Sequence, residues 1–312
     1  MFTDKTWSRH GRQIYRLKRI RAFALTFFII LAVVISILVV SRVKNGISNE
    51  RREILSVWNA GDFQQAYEIS KSALEQRPVD YFLLTINGFS AYQLGISQIN
   101  NHTTLFYIDE SIRSLRKALL LKESKSDGRV YYVLGKAYNY KGAEYSDLVV
   151  KYLEMANNLS YEARDIPEFL GLAYAAFGDY HNSVKAFSLA LAPDVQPSDT
   201  LLLSIARSYV AMEEYNIASG YLLQCVFNSQ DSKSINIARL LMAEINIKLG
   251  DTDGAEKQYL SILEDSGENA EVHYKLGELY FLKGDTTRAR SEWRIAYRQD
   301  PAHAKARARL NI

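Results

Sequence analysis

The fold is decided by residues 270–303, which read AEVHYKLGELYFLKGDTTRARSEWRIAYRQDPAH. Two amphipathic segments flank Gly284-Asp285, where glycine can end one helix in a left-handed conformation and aspartate can cap the next. The preceding 34 residues carry the same markers at a constant offset. The matched pairs are Gly250 with Gly284, Asp251 with Asp285, Ala255 with Ala289, and Tyr259 with Trp293. A fixed period of this length indicates stacked helical hairpins, because one hairpin cannot bury its own apolar face.

The markers within residues 270–303 resemble those of the tetratricopeptide repeat family, whose unit is a 34-residue helix–turn–helix. They are Leu276, Gly277, Tyr280, Gly284, Asp285, Ala289, Trp293, Ala296 and Pro301. Gly277 and Ala289 are small where the two helices of a unit would cross closely, so a large residue at Gly277 should loosen the unit. The resemblance implies an all-α fold, a right-handed α-solenoid of about seven helical hairpins.

The same pattern extends upstream and predicts seven units and a short capping helix over residues 304–312. The predicted units are 47–80, 81–124, 128–161, 164–197, 199–235, 236–269 and 270–303. Their predicted turns lie at Gly61, Gly95, Gly142, Gly178, Glu213, Gly250 and Gly284. The fifth unit departs from the pattern, because Glu213-Glu214 replaces the Gly-Asp turn. In the second unit, residues 96–103 are expected to interrupt the hairpin, either as a functional loop or as a tolerated one, with the second helix resuming near Leu105.

Residues 22–41 read AFALTFFIILAVVISILVVS and contain no charged side chain. A helix of this length spans about 30 Å, the thickness of the hydrocarbon core of a bilayer. We therefore predict one N-terminal transmembrane helix that contacts the lipid bilayer. A cleaved signal peptide is the alternative, but its apolar region is usually shorter and ends in small residues, which Val39, Val40 and Arg42 do not supply.

The tail over residues 1–21 holds seven Lys or Arg side chains and one Asp. The more basic flank of a membrane span stays in the cytoplasm, so the tail is predicted to be cytoplasmic. The C-terminal domain is then extracytoplasmic, in a bacterial periplasm or in a eukaryotic lumen. Beyond residue 22 the chain carries 31 basic and 34 acidic side chains. This balance argues against a nucleic-acid-binding face, so no nucleic acid is expected as a partner.

The sequence contains none of the common catalytic motifs. It has no phosphate-binding loop, no HExxH and no GxSxG, and its five histidines form no i, i+4 pair. The single cysteine, Cys225, falls at a small-residue position of a second helix, where a buried and inert thiol is expected. The sequence therefore favours a protein that is not an enzyme and that holds no cofactor and no metal.

Ten side chains fall on the first-helix positions that line the concave groove in the family that the sequence resembles. These partner-binding candidates are Tyr92, Arg129, Tyr132, Lys136, Asn139, Tyr140, Arg207, Tyr274, Glu278 and Phe281. Aromatic and arginine side chains are common anchors of interfaces, and the cluster in the third unit is the strongest candidate. Some relatives bind the C-terminal carboxylate of chaperones with Lys and Asn at fixed positions. Unit three offers Tyr132 and Lys136 there instead, so chaperone binding is not expected.

The sequence indicates a non-catalytic scaffold or assembly factor that binds other proteins in its groove or along its edge. It looks similar to membrane-anchored repeat proteins of bacterial envelope machines, of which the periplasmic flagellar collar of spirochaetes is one. Two alternatives stay open: a regulatory accessory subunit of an envelope enzyme, or a cell-wall or glycan binder that would lose binding after Tyr132→Ala and Tyr140→Ala. An enzyme with an unrecognised site is a weaker third. Solenoid edges can also dimerise, and nothing in the sequence decides whether a homo-oligomer forms.

Overall fold

The computed structural model of the chain describes residues 33–36, 41, 44, 46–121, 127–191 and 196–312. The predicted basic tail 1–21 and most of the predicted transmembrane helix 22–41 lie outside these residues. In the part of the chain that is described, no helix combines the length and the hydropathy needed to cross a bilayer.

The described residues from 46 onward are helical apart from short connections, and they contain no β-strand. The helices are α1 (residues 46–59), α2 (Phe63–Gln76), α3 (Tyr81–Ile96), α4 (Asn101–Ala118), α5 (Gly128–Lys141), α6 (Ser146–Asn158), α7 (Ile166–Phe177), α8 (Tyr180–Ala190), α9 (Asp199–Ala211), α10 (Tyr215–Asn228), α11 (Ser232–Lys248), α12 (Thr252–Ser266), α13 (Ala270–Leu282), α14 (Thr286–Gln299) and α15 (Ala304–Leu310). This confirms the all-α solenoid that the sequence predicts.

Consecutive helices pack as pairs, from α3 with α4 to α13 with α14, and the second helix of each pair packs on the first helix of the next. The core is therefore a line of clusters along the stack. One cluster extends from Tyr92 on α3 to Ala186 on α8, and another surrounds Trp293 on α14. The last helix, α15, packs on α14 and covers part of the open end of the stack.

The turns between paired helices use the glycine and aspartate that mark them in the sequence. Four turn glycines have φ between 80° and 86°, a left-handed backbone that favours glycine: Gly61, Gly178, Gly250 and Gly284. The aspartate after each one accepts a backbone N–H from the first turn of the second helix, as Asp285 does from Arg288. In the fifth unit Glu213 takes the left-handed position with φ 62°, and the side chain of Glu214 makes no capping bond.

Glycine also sits where the two helices of a unit cross. A Cβ at Gly277 would lie 2.4 Å from the ring of Trp293, and one at Gly171 would lie 2.4 Å from Phe187. Both distances are far shorter than a van der Waals contact, so a side chain at either position would push the helices apart. The prediction that Gly277 permits close helix crossing is confirmed.

The second unit differs from the prediction. Gly95 is not the turn glycine but belongs to α3, where a Cβ would come within 3.0 Å of the side chain of Ile108. The second helix begins at Asn101 instead of near Leu105, since the side chain of Asn100 caps it by accepting the N–H of His102. The extra residues of this unit therefore lengthen its helices, and only residues 97–100 separate α3 from α4.

Candidate partner-binding groove

The first helices of three consecutive units, α1, α3 and α5, line a groove of about 640 Å³, called here the N-terminal groove. Its walls carry mainly aromatic and aliphatic side chains, among them Trp58, Phe82, Phe89 and Tyr92. Asparagine and glutamine side chains, Asn59 and Gln93, lie among them. An apolar groove with a few polar groups is the usual form of a ligand site.

Local sequence sets the start of each groove helix. Asp80 caps α3 by accepting the N–H of Leu83, and Asp127 caps α5 by accepting the N–H of Arg129. Because an α-helix repeats every 3.6 residues, positions three or four apart face the same way. Arg129, Tyr132 and Lys136 therefore share one face of α5 and line the groove together.

Tyr132 and Lys136 are held by an acidic residue from the next unit. The Tyr132 hydroxyl donates to the carboxylate of Asp165 at 2.9 Å, and the Lys136 ammonium contacts the same carboxylate at 2.6 Å. Lys136 also lies 4.7 Å from the centre of the Phe169 ring. Burial raises the pKa of Tyr132, and its bond to Asp165 raises it further. Burial by itself would lower the pKa of Lys136. The bond to the Asp165 carboxylate and the nearby tyrosines act in the opposite direction, and the net pKa is raised.

A second anchored pair lies at the start of α5. Arg129 bonds Asp127 at 3.0 Å through its guanidinium, and Tyr81 donates its hydroxyl to the same carboxylate at 3.0 Å. Burial and the nearby Asp127 charge raise the pKa of Tyr81 to about 12. The polar groups of Tyr81, Tyr132, Arg129 and Lys136 are thus engaged within the protein, so the groove offers mainly aromatic faces and the outer part of Arg129.

Tyr92 of the second unit lines the groove, whereas Asn139 and Tyr140 of the third unit lie beside it. Burial raises the pKa of Tyr92. Tyr140 is 43% exposed and packs edge-on against Tyr92, with ring centres 6.2 Å apart, but it does not line the cavity. Asn139 is half-buried on the same helix and does not line it either. The structure therefore brings four of the ten candidates into one groove: Tyr92, Arg129, Tyr132 and Lys136.

The C-terminal candidates belong to a separate surface. Tyr274, Glu278 and Phe281 line a cavity of about 570 Å³ between α11 and α13. Arg309 of the last helix contacts two of these lining residues, since it bonds Glu278 at 2.8 Å and lies 5.2 Å from the Phe281 ring centre. Arg207 is exposed on α9 and joins neither cavity. Within the described residues, no group of three or more His, Cys, Asp or Glu side chains could hold a metal ion.

Sequence reasoning missed Trp58, Phe82 and Phe89, which form much of the groove wall. Trp58 packs 4.8 Å from Phe63 and 6.4 Å from Phe89, measured between ring centres. The sequence contains a sign of their role, since all three lie on the first helices of units one and two. In unit one the first helix departs from the small-residue markers that align the later units, with Ile54 where the small residue would be.

Residues 240–304 match the family described as "Tetratricopeptide repeat". The described helices form a tetratricopeptide repeat solenoid. The C-terminal part of a tetratricopeptide repeat protein from Cytophaga hutchinsonii has a similar fold, with a TM-score of 0.60, 15% identity, and coverage of 84% of this chain and 100% of that one. PilW, a widely conserved type IV pilus biogenesis factor, aligns with a TM-score of 0.55 and 15% identity over 72% of this chain and 98% of its own. A sequence search of curated proteins finds no match.

Tetratricopeptide repeat solenoids present extended concave surfaces that bind other proteins, and they are generally non-catalytic. At 15% identity, the two structural neighbours show the fold alone. The N-terminal groove is the concave surface that the first helices of this solenoid provide.

Proposed function

We propose that the protein is a membrane-anchored, non-catalytic scaffold or assembly factor that binds a segment of a partner protein in the N-terminal groove. The observation that carries the proposal is the aromatic wall that three successive first helices build. Trp58 on α1, Phe82, Phe89 and Tyr92 on α3, and Tyr132 on α5 line one cavity. Aromatic side chains in a preformed groove are favourable anchors for apolar side chains of a peptide.

The dimensions suit a short peptide segment. Neighbouring helix axes lie about 8–10 Å apart, so three first helices span roughly 16–20 Å. An extended chain rises about 3.3 Å per residue, so five or six residues would cross the groove. Asn59 and Gln93 can exchange hydrogen bonds with the peptide backbone, and the exposed side chains of Leu55 and Ile96 add apolar contact.

The placement of the protein rests on its sequence. Residues 22–41 would anchor the chain in a membrane, and the basic tail would keep the N-terminus in the cytoplasm. The solenoid would then work on the periplasmic side as part of an envelope machine, of which a flagellar collar is one example. PilW, with a similar fold, is a pilus biogenesis factor, so the fold serves the assembly of another envelope structure.

Site-specific photocrosslinking in native membranes tests the groove. A photoreactive residue replaces Asn59 or Gln93 in the groove, and the control replaces Leu189, which is 74% exposed on a second helix. We expect a discrete protein adduct from the two groove positions that is lost after Phe82→Ala. Equal labelling from Leu189, or an adduct insensitive to Phe82→Ala, would contradict groove binding. Added cell-wall fragments that compete with the adduct would favour the glycan-binding alternative instead.

The anchor is tested separately. The full chain should stay in the membrane pellet after alkaline extraction and dissolve only in detergent. Protease added from the periplasmic side should remove the solenoid and spare the tail. A full chain released by alkali would contradict the transmembrane anchor without bearing on the groove.

A further inference from the structure

Three arginines form a line on the outer face of α14, the second helix of the last unit. Arg290, Arg294 and Arg298 are exposed and line a shallow groove of about 970 Å³. Ser291 and Tyr297 place hydroxyl groups beside them in the same groove. The spacing of four residues corresponds to about 6 Å along a helix, so the three guanidinium groups form one row about 12 Å long.

The charges of the row are unpaired, unlike those of Arg288 on the same helix and Arg309 on α15. Arg288 contacts Asp285 at 2.5 Å, and Arg309 bonds Glu278 at 2.8 Å. Among the described residues, no carboxylate lies within 4.0 Å of the guanidinium groups of the row. Three like charges in a row with no counter-charge repel one another, so the arrangement does not stabilise the helix.

The fold does not require arginine at these positions. In the preceding unit, the residues 34 positions earlier are Glu256, Leu260 and Glu264. Glu256 there contacts Lys283 of the following unit at 2.6 Å. The row on α14 carries the opposite charge and is exposed in the described structure, so it can meet a separate molecule.

The charge distribution along the chain sets this end apart. Residues 270–312 carry nine Lys or Arg and five Asp or Glu, whereas residues 23–269 carry 22 and 29. A basic end on an acidic body attracts an acidic partner and repels a basic one. The row consists of arginine only, and the planar guanidinium binds a carboxylate through two parallel hydrogen bonds, which lysine cannot do.

We propose that Arg290, Arg294 and Arg298 bind an acidic segment of a partner protein. Glutamates at i, i+4 and i+8 of a helix lie about 6 Å apart and match the row, and alternate residues of an extended strand, about 6.6 Å apart, match it nearly as well. This surface is independent of the N-terminal groove, since it lies on a second helix in the opposite terminal unit.

A second copy of the chain that stacks head to tail, with its first unit on this last unit, does not fit this surface. The side chains that meet Glu256 inside the stack are Tyr280, Lys283 and Arg288. When the turn at Gly61 is aligned with that at Gly284, the first unit offers Val57, Ala60 and Gln65 at these positions. None of them carries a carboxylate. A lipid bilayer is also a poor match, because it presents a plane of charge whereas the row is a single line on one helix.

Fluorescence anisotropy of the full chain in detergent tests the proposal. The probe is a labelled helical peptide with glutamate at every fourth position, and the same peptide with glutamine is its control. The test variant is Arg290→Gln/Arg294→Gln/Arg298→Gln. The matched control, Lys185→Gln/Lys248→Gln/Lys257→Gln, removes three exposed charges from the body of the solenoid. Each exposed ion pair contributes about 1.4- to 5-fold in affinity, so the test variant should bind about tenfold more weakly or worse, and the control should match the wild type.

Binding should also weaken with added salt, and it should persist after Phe82→Ala in the N-terminal groove. Equal losses in the two triple variants would show that net charge alone attracts the peptide, and would overturn the proposal. Binding of the glutamine peptide would also overturn the proposal. Tighter binding of phosphatidylglycerol vesicles or of a single-stranded oligonucleotide through the same arginines would assign the row to a different class of partner and overturn it as well.

Discussion

Replacing Glu213 with glycine should stabilise the fifth unit. Glu213 has φ 62°, while the glycines at the corresponding turns have φ between 80° and 86°. In this left-handed region the Cβ of an ordinary residue crowds the backbone, which costs about 1–2 kcal/mol. The Glu213 side chain is exposed, so its removal sacrifices little packing. We therefore expect Glu213→Gly to raise the local free energy of unfolding by about 1 kcal/mol, allowing for the greater freedom of glycine in the unfolded chain.

Glu214, the next residue, offers a second way to raise the free energy of unfolding. Glu214 stands where aspartate caps the second helix in other units, and its side chain makes no capping bond. Asp285 shows the favourable geometry, since its carboxylate accepts the N–H of Arg288 at 2.9 Å. A good N-cap stabilises a helix by about 0.5–2 kcal/mol, so Glu214→Asp should add about 1 kcal/mol and the double variant about 2 kcal/mol.

Hydrogen exchange of the full chain measures these changes where they occur, because repeat proteins open locally as well as globally. Amide exchange in α9 and α10 should slow about fivefold in Glu213→Gly and about thirtyfold in the double variant. The control, Glu162→Gly, makes the same substitution at an exposed connection whose φ is not left-handed. It should leave exchange unchanged or faster. Unaltered exchange in Glu213→Gly, or an equal slowing in Glu162→Gly, would refute the reasoning.

Three further predictions concern packing, the groove and pH. Gly277→Leu should cost about 1–3 kcal/mol, because its Cβ would lie 2.4 Å from Trp293; an unchanged thermal melt would contradict the assigned helix crossing. Tyr132→Phe should cost about 0.5–1.5 kcal/mol in urea unfolding, because the Asp165 carboxylate loses a donor. Burial raises the pKa of Asp127, but hydrogen bonds from Arg129 outweigh it and the net pKa is lowered. The stabilisation that the Asp127 carboxylate gives the folded protein is therefore complete above the unfolded pKa of about 3.9, and it is lost as pH falls through the lower folded pKa. Asp127→Asn removes this titration, so it should flatten the acid limb of a circular-dichroism titration.

The repeat pattern predicted the later units well because each of their marker residues has a local structural role. Gly284 and Asp285 end one helix and cap the next, and Gly277 admits a close crossing, so each residue carries its own structural reason. The second unit was predicted less well. Gly95 resembles a turn glycine in the sequence, but it packs within a helix against Ile108, and such a tertiary reason leaves no local trace.

The candidate groove was predicted only in part. The helical register identified Tyr92, Arg129, Tyr132 and Lys136, because residues three or four apart share a face. The same register proposed Asn139 and Tyr140, which lie beside the cavity. Register alone cannot tell which part of a helix face the neighbouring units leave open.

The sequence alone determined the period, the helical hairpins and the side chains available to the first helices, because these depend on interactions within about one helical turn. The tertiary structure decided which of them act together. Tyr132 and Lys136 reach Asp165, which follows them by 33 and 29 residues, only because successive units stack at a fixed distance. Stacking likewise brings Trp58 beside Phe89, and it leaves Arg290, Arg294 and Arg298 exposed along one groove. Such contacts arise from packing between units, which no single stretch of sequence contains.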